Sequence, residues 1–220
     1  YNSLGANTTG TQNNAIGANA LDACTTGDRN QAMGFNALGA LTTGYRNVAI
    51  GNDAMNAGNG NENVAIGEQA LYNSAASNVV AVGNKALLAN TTGTQNTAVG
   101  SAALDANTTG SRNTGIGADC LTNNTTGESN VAVGRDAMFH NSTGSNNTAV
   151  GRDALLNATS AQRNVAVGQD AGDSVTTGDY NVIIGYDNPC PPWGRCPPVA
   201  SPPGQLPLSE RLKRPLTFPT

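Results

Sequence analysis

A glycine returns at Gly17, Gly34, Gly51, Gly67, Gly83, Gly100, Gly117, Gly134, Gly151, Gly168 and Gly185, in steps of 17 residues with two steps of 16. Each period resembles Asn-Thr-Ala-Val-Gly-x-x-Ala-Leu-x-x-Asn-Thr-Thr-Gly-x-x, most plainly from Asn96 to Arg112. Self-similarity at a short fixed period belongs to chains that stack one small unit on the next, because a single unit cannot bury its own apolar groups. The two short periods lose their residue after the Leu/Met position, as between Asn52 and Gly60, so deletions fall in a turn.

The segment before each marker glycine is rich in Val and Ile, as in Asn47-Val48-Ala49-Ile50 and Asn181-Val182-Ile183-Ile184, and reads as a strand of four to five residues. Helix is disfavoured by the glycines that enter every period and by apolar positions that do not continue at helical spacing. A strand, a glycine bend, a second short stretch at Ala-Leu and a Thr-Thr-Gly turn make one coil of a parallel β-solenoid, an all-β rod of about eleven 17-residue coils. Only 4% of the 220 residues are aromatic and 12% charged, so no thick core is available, and thin layers repeated many times replace it.

Stacking turns every position of the period into a column. Gly100 and Gly134 stand where the chain bends or where backbones meet too closely for a Cβ. The asparagine four residues before the marker glycine, as Asn47, Asn96, Asn130 and Asn164, is expected to form a ladder of side-chain amide hydrogen bonds, with Val79 the one interruption. The two residues before the glycine are Ala and then Val, Ile or Met, as Ala98-Val99 or Ala132-Val133, and must face opposite ways because side chains in a strand alternate. Both faces are therefore small or apolar, and a lone solenoid needs only one of them dry. The second face is expected to lie against another copy of the chain.

Other features carry less. A net charge of −4 with no basic cluster in the repeats argues against nucleic acid as a partner. No apolar run reaches the roughly 18 residues of a membrane span. The chain starts in mid-repeat, which suggests a fragment or a processed product. Cys24 and Cys120 sit many repeats apart and are not expected to pair, whereas Cys190 and Cys196 could close a small loop in an oxidising compartment. Sequons at Asn7, Asn90, Asn107, Asn124 and Asn141 share one position of the period, with others at Asn123, Asn146 and Asn157. In a secreted eukaryotic protein they would carry a column of sugars; otherwise they follow from turn chemistry.

The threonines of Thr8-Thr9-Gly10, Thr42-Thr43-Gly44 and Thr108-Thr109-Gly110 could order water as an ice-binding array, although they fall at a corner beside a glycine. Asp53, Asp136, Asp153 and Asp170 line up in one column, but the glycine-rich calcium nonapeptide is missing. His140 has no partner pattern, and neither a nucleophile elbow nor a phosphate loop occurs, so the chain reads as non-enzymatic, with no cofactor and no metal.

The strings Asn-Val-Ala-Ile-Gly at 47–51 and 63–67 and Asn-Val-Ala-Val-Gly at 130–134 and 164–168 resemble the head repeats of trimeric autotransporter adhesins, and similar repeats occur in some phage tail-fibre proteins. The resemblance covers Tyr1 to about Asp187. It implies a left-handed parallel β-roll, three chains side by side, a cell-surface, extracellular or virion location, and attachment to a host surface protein or glycan. The period here is longer than that family's usual head repeat, and neck, stalk and anchor are missing from the sequence, so no individual binding residue carries over.

All ten prolines follow Asn188, so the solenoid is expected to fill 1–187 and a Pro-rich irregular tail or cap 188–220. The functional expectation is an adhesive or structural rod. A filament-forming or glycosylated scaffold without specific adhesion is the alternative, and an ice-binding protein a weaker one.

Overall fold

A computed structural model describes residues 2–186; Cys190, Cys196 and the Pro-rich segment lie outside the described residues. Eleven short strands run in chain order: β1 Asn14–Ile16, β2 Gln31–Met33, β3 Val48–Ile50, β4 Val64–Ile66, β5 Val80–Val82, β6 Thr97–Val99, β7 Thr114–Ile116, β8 Val131–Val133, β9 Thr148–Val150, β10 Val165–Val167 and β11 Val182–Ile184. They form one parallel sheet whose spatial order equals the sequence order. Register is strict: Ala98 pairs with Gly115, Ala132 with Ala149, and Val133 with Val150. The chain is an all-β parallel solenoid with about 17 residues per coil and, among the described residues, no helix.

Bonding between coils does not stop at the strand ends. In the coil that begins at Thr97, Gly100 N donates to Val82 O (2.8 Å) on one side, while Leu104 N donates to Cys120 O (3.0 Å) and Thr108 N to Thr125 O (3.0 Å) on the other. The ladder thus follows most of the perimeter, which satisfies the backbone of a chain with little side-chain bulk.

Two expectations need correction. The strands are three residues long, because the residue before each is the ladder asparagine, or Val79 before β5, and the one after is the bending glycine. The Ala-Leu stretch is not extended. Two successive tight turns close there, with Ala103 N donating to Gly100 O (3.4 Å) and Asn107 N to Leu104 O (3.1 Å). Three non-glycine residues of that coil take left-handed backbone: Ala102 (φ 52), Leu104 (φ 56) and Arg112 (φ 60). Such backbone costs about 1–2 kcal/mol per residue. It recurs at Leu21, Leu38, Leu71, Leu87, Leu121 and Leu155, all fully buried, so inward burial of the leucine offsets the strain.

The interior is narrow. The central alanine of the strands from β2 to β10 points inward and is buried, with Gly115 in its place in β7, and it meets the Ala and Leu of the turn side. The Val, Ile or Met at the third strand position points outward. Two coils show how tightly the interior is filled. Gly115 replaces the strand alanine where Cys120 replaces a turn alanine, and a Cβ on Gly115 would lie 3.0 Å from Cys120 Sγ. Ile183 replaces the alanine where Gly172 replaces the leucine, and a Cβ on Gly172 would lie 2.6 Å from Ile183 Cδ1. Volume lost on one side is returned on the other.

The marker glycines have φ between 131 and 143, a region closed to other L residues. A Cβ on Gly67 would lie 2.5 Å from Gly83 O in the next coil, so the contact is closed as well as the conformation.

Candidate functional site

The sequence-selected ladder positions fall on two different surfaces. Asn47, Asn96, Asn130 and Asn164 are buried and stitch neighbouring coils. Asn130 Oδ1 accepts from Asn147 N (3.0 Å) and Asn147 Nδ2 (3.2 Å), while Asn130 Nδ2 donates to Gly144 O (2.8 Å) and Asn113 Oδ1 (3.2 Å). Where Val79 interrupts the column, Gly93 O instead accepts from Asn90 Nδ2 (3.0 Å).

Asn90 belongs to a second internal ladder. Asn107 Nδ2 donates to Asn90 Oδ1 (2.8 Å), Asn124 Nδ2 to Asn107 Oδ1 (2.8 Å) and Asn141 Nδ2 to Asn124 Oδ1 (2.7 Å), each also bonding the glycine carbonyl three residues on. Ser74 Oγ closes one end by accepting from Asn90 (3.1 Å). At the other end Ala158 follows, and Asn141 Oδ1 has no partner. These four asparagines are sequon residues. In the folded chain the nitrogen that would carry a sugar is buried and already bonded through both hydrogens, whereas Asn7 is exposed.

The corner threonines divide similarly. The first hydroxyl of the pair bonds the next coil, Thr108 Oγ1 donating to Thr125 O (3.0 Å), and the second threonine, Thr109, is exposed. Asp53, Asp136, Asp153 and Asp170 all occupy left-handed backbone two residues after the marker glycine, a conformation Asp and Asn adopt more readily than most. Arg135 pairs with Asp136 (2.8 Å) and Arg152 with Asp153 (3.3 Å). Partial burial, helped by the neighbouring Asp136 and Asp170 carboxylates, raises the Asp153 carboxyl above its ordinary range, against the pull of Arg152. Among the described residues no group of three His, Cys, Asp or Glu side chains converges as for a metal, and no helix is long and apolar enough to cross a membrane. His140 lies beside Phe139 (ring centroids 4.8 Å) and Asn123. Cys24 and Cys120 are both buried free thiols.

The most extended chemical feature is the outer face of the strands. Two columns cover it: the first strand position, as Val48, Val64, Val80, Thr97 and Val131, and the third, as Ile50, Ile66, Val99, Ile116 and Val133. No strand contains a charged residue. In the third column Ile16 is 60% exposed, Val99 37% and Ile184 60%. With about 4.8 Å per coil the ribbon is about 48 Å long and, at two side-chain columns, about 13 Å wide. That is on the order of 600 Å² of uncharged surface, apolar along the third column and interrupted in the first by Asn14, Gln31, Thr97, Thr114 and Thr148, and it exceeds the scattered apolar groups normal on a protein exterior. Polar residues border it in sequence, Arg29, Arg46, Arg112 and Arg163 before the strands and Arg135 and Arg152 after them. Arg46 pairs with Glu62 (2.7 Å) and Arg112 with Glu128, both across coils.

Comparison with family models, curated proteins and solved structures returned no match.

Proposed function

We propose that the chain is a non-catalytic structural rod that associates with copies of itself along the outer strand face and presents the rest of its perimeter for attachment. The observation that carries this is the uncharged ribbon, mostly Val, Ile and Thr from β3 to β11, that lies at least partly exposed along the coils while the alanines face inward. Its estimated area approaches the roughly 800 Å² per partner of a standard-size protein interface. An apolar centre with a charged border is also how such interfaces are composed.

The resemblance of the repeat strings to adhesin heads favours three chains around the ribbon, a left-handed coil, and a location outside the cell or on a virion. On that reading the charged and threonine-bearing corners meet the host protein or glycan, and the turns set their spacing. Sedimentation of the full chain at micromolar concentration is expected to give a trimer. Replacing Val99 and Val133 by Asp is expected to give a folded monomer with an unchanged circular dichroism spectrum. A wild-type monomer at that concentration refutes self-association, and binding to no component of a glycan or matrix-protein array removes adhesion while leaving the scaffold.

A further inference from the structure

The first of the two short coils poses a bonding problem that one side chain solves. In a full coil Thr42 O accepts from Thr25 N (2.9 Å), Thr26 N (3.3 Å) and Thr25 Oγ1 (3.2 Å). The next coil lacks one residue at that corner. There the side-chain oxygen of Asn59 takes the part of the missing backbone carbonyl, accepting from Thr42 N (2.6 Å), Thr43 N (3.3 Å) and Thr42 Oγ1 (2.9 Å).

The residue after Asn59 is Gly60, and this is the sole Asn-Gly step in the sequence. Asn59 is exposed, its Nδ2 makes no hydrogen bond among the described residues, and neither does the Gly60 N–H. We infer that Asn59 is a self-modification site, at which the Thr42 and Thr43 donors promote conversion of the side-chain amide to a carboxylate with water as the only co-reactant.

The N–H of Gly60, a buried residue beside the exposed Asn59, loses its proton to hydroxide, and the nitrogen attacks Asn59 Cγ. Negative charge then develops on Oδ1, where three donors already converge, as donors do in an oxyanion hole. The Cγ–Nδ2 bond breaks and ammonia leaves with a proton from water, giving a cyclic imide. Water adding at Cγ breaks the bond from Cγ to Gly60 N and leaves an aspartyl side chain with the ordinary backbone restored, while water adding at the Asn59 main-chain carbonyl carbon leaves the isoaspartyl linkage of the same mass. A carboxylate already serves in this way two residues further round the coil, where Asp28, in the column of Asn61, accepts from Thr11 N (2.7 Å) and Thr11 Oγ1 (2.9 Å). The same two bonds lower the Asp28 carboxyl, the backbone one most.

The test is peptide mass mapping of the full folded chain held in mildly alkaline buffer. The peptide spanning Asn59 is expected to gain the mass of an amide-to-acid exchange ahead of every other asparagine in the described coils. Thr42→Val, which removes the hydroxyl donor and keeps the shape, is expected to slow that gain several-fold. The idea is overturned if Asn59 stays amidated in the folded chain, or if a folded Thr42→Val chain reacts at the wild-type rate.

Discussion

Asn130 and Asn147 occupy the same column one coil apart, yet their loss should not cost the same. Asn130→Ala leaves Asn147 N without its acceptor, but Gly144 O keeps a donor because Asn141 Nδ2 also reaches it (3.1 Å). Asn147→Ala leaves Asn164 N without an acceptor and also strips Ala161 O of the one hydrogen bond it receives (2.7 Å), since Ala158 stands where Asn141 stood. One buried polar group left alone costs about 1–3 kcal/mol. Asn147→Ala should therefore destabilise the rod by about 1–3 kcal/mol more than Asn130→Ala. The double change Asn130→Ala with Asn141→Ala should exceed the sum of its parts by a similar amount, because only then does Gly144 O lose both donors. Urea unfolding followed by circular dichroism reads all four variants. Equal losses for Asn130 and Asn147, within about 0.5 kcal/mol, together with additivity at the Asn130/Asn141 pair, would refute the accounting.

Ile183→Ala should cost about 2–4 kcal/mol as a core truncation. Adding Gly172→Leu should restore most of it, since leucine takes the same left-handed backbone in other coils; thermal melts compare the pair. Gly134→Ala should unfold the local coils or the whole rod, because both its φ of 135 and the Gly151 carbonyl exclude a Cβ; loss of hydrogen-exchange protection in β8 and β9 marks the outcome. Burial pushes the Cys120 thiol from 9.0 up to about 12, so Cys120 should resist alkylation in the folded chain in mildly alkaline buffer and react once the chain is unfolded, as peptide mass mapping reads. Because the folded thiol holds its proton more tightly, the associated stability is complete below about 9 and is lost as pH rises through about 12, read as a falling melting temperature.

The period, the bending glycines and the asparagine column are legible in the sequence because each repeats with one residue type. Which strand face lies inside is not, since alternation only says that Ala132 and Val133 point apart. A signal was present nonetheless. Gly115 departs from alanine together with Cys120, and Ile183 together with Gly172, as only touching side chains need do. The sequon column carried one too: Cys24, Leu41, Ala158 and Val175 stand where Asn107 and Asn124 do, a substitution pattern of an interior position. The left-handed leucines left no mark, because leucine has no special liking for that backbone and takes it here for the burial it wins.

Each internal coil bonds its two neighbours, and in the regular stretches one face of a coil carries donors and acceptors complementary to those on the other. Duplicating a whole period within a stretch where neighbouring coils match would therefore repeat junctions already present and change the span by about 4.8 Å. Such a molecule is a ruler graduated in single genetic units, whose reach can be tuned without redesigning any part of it.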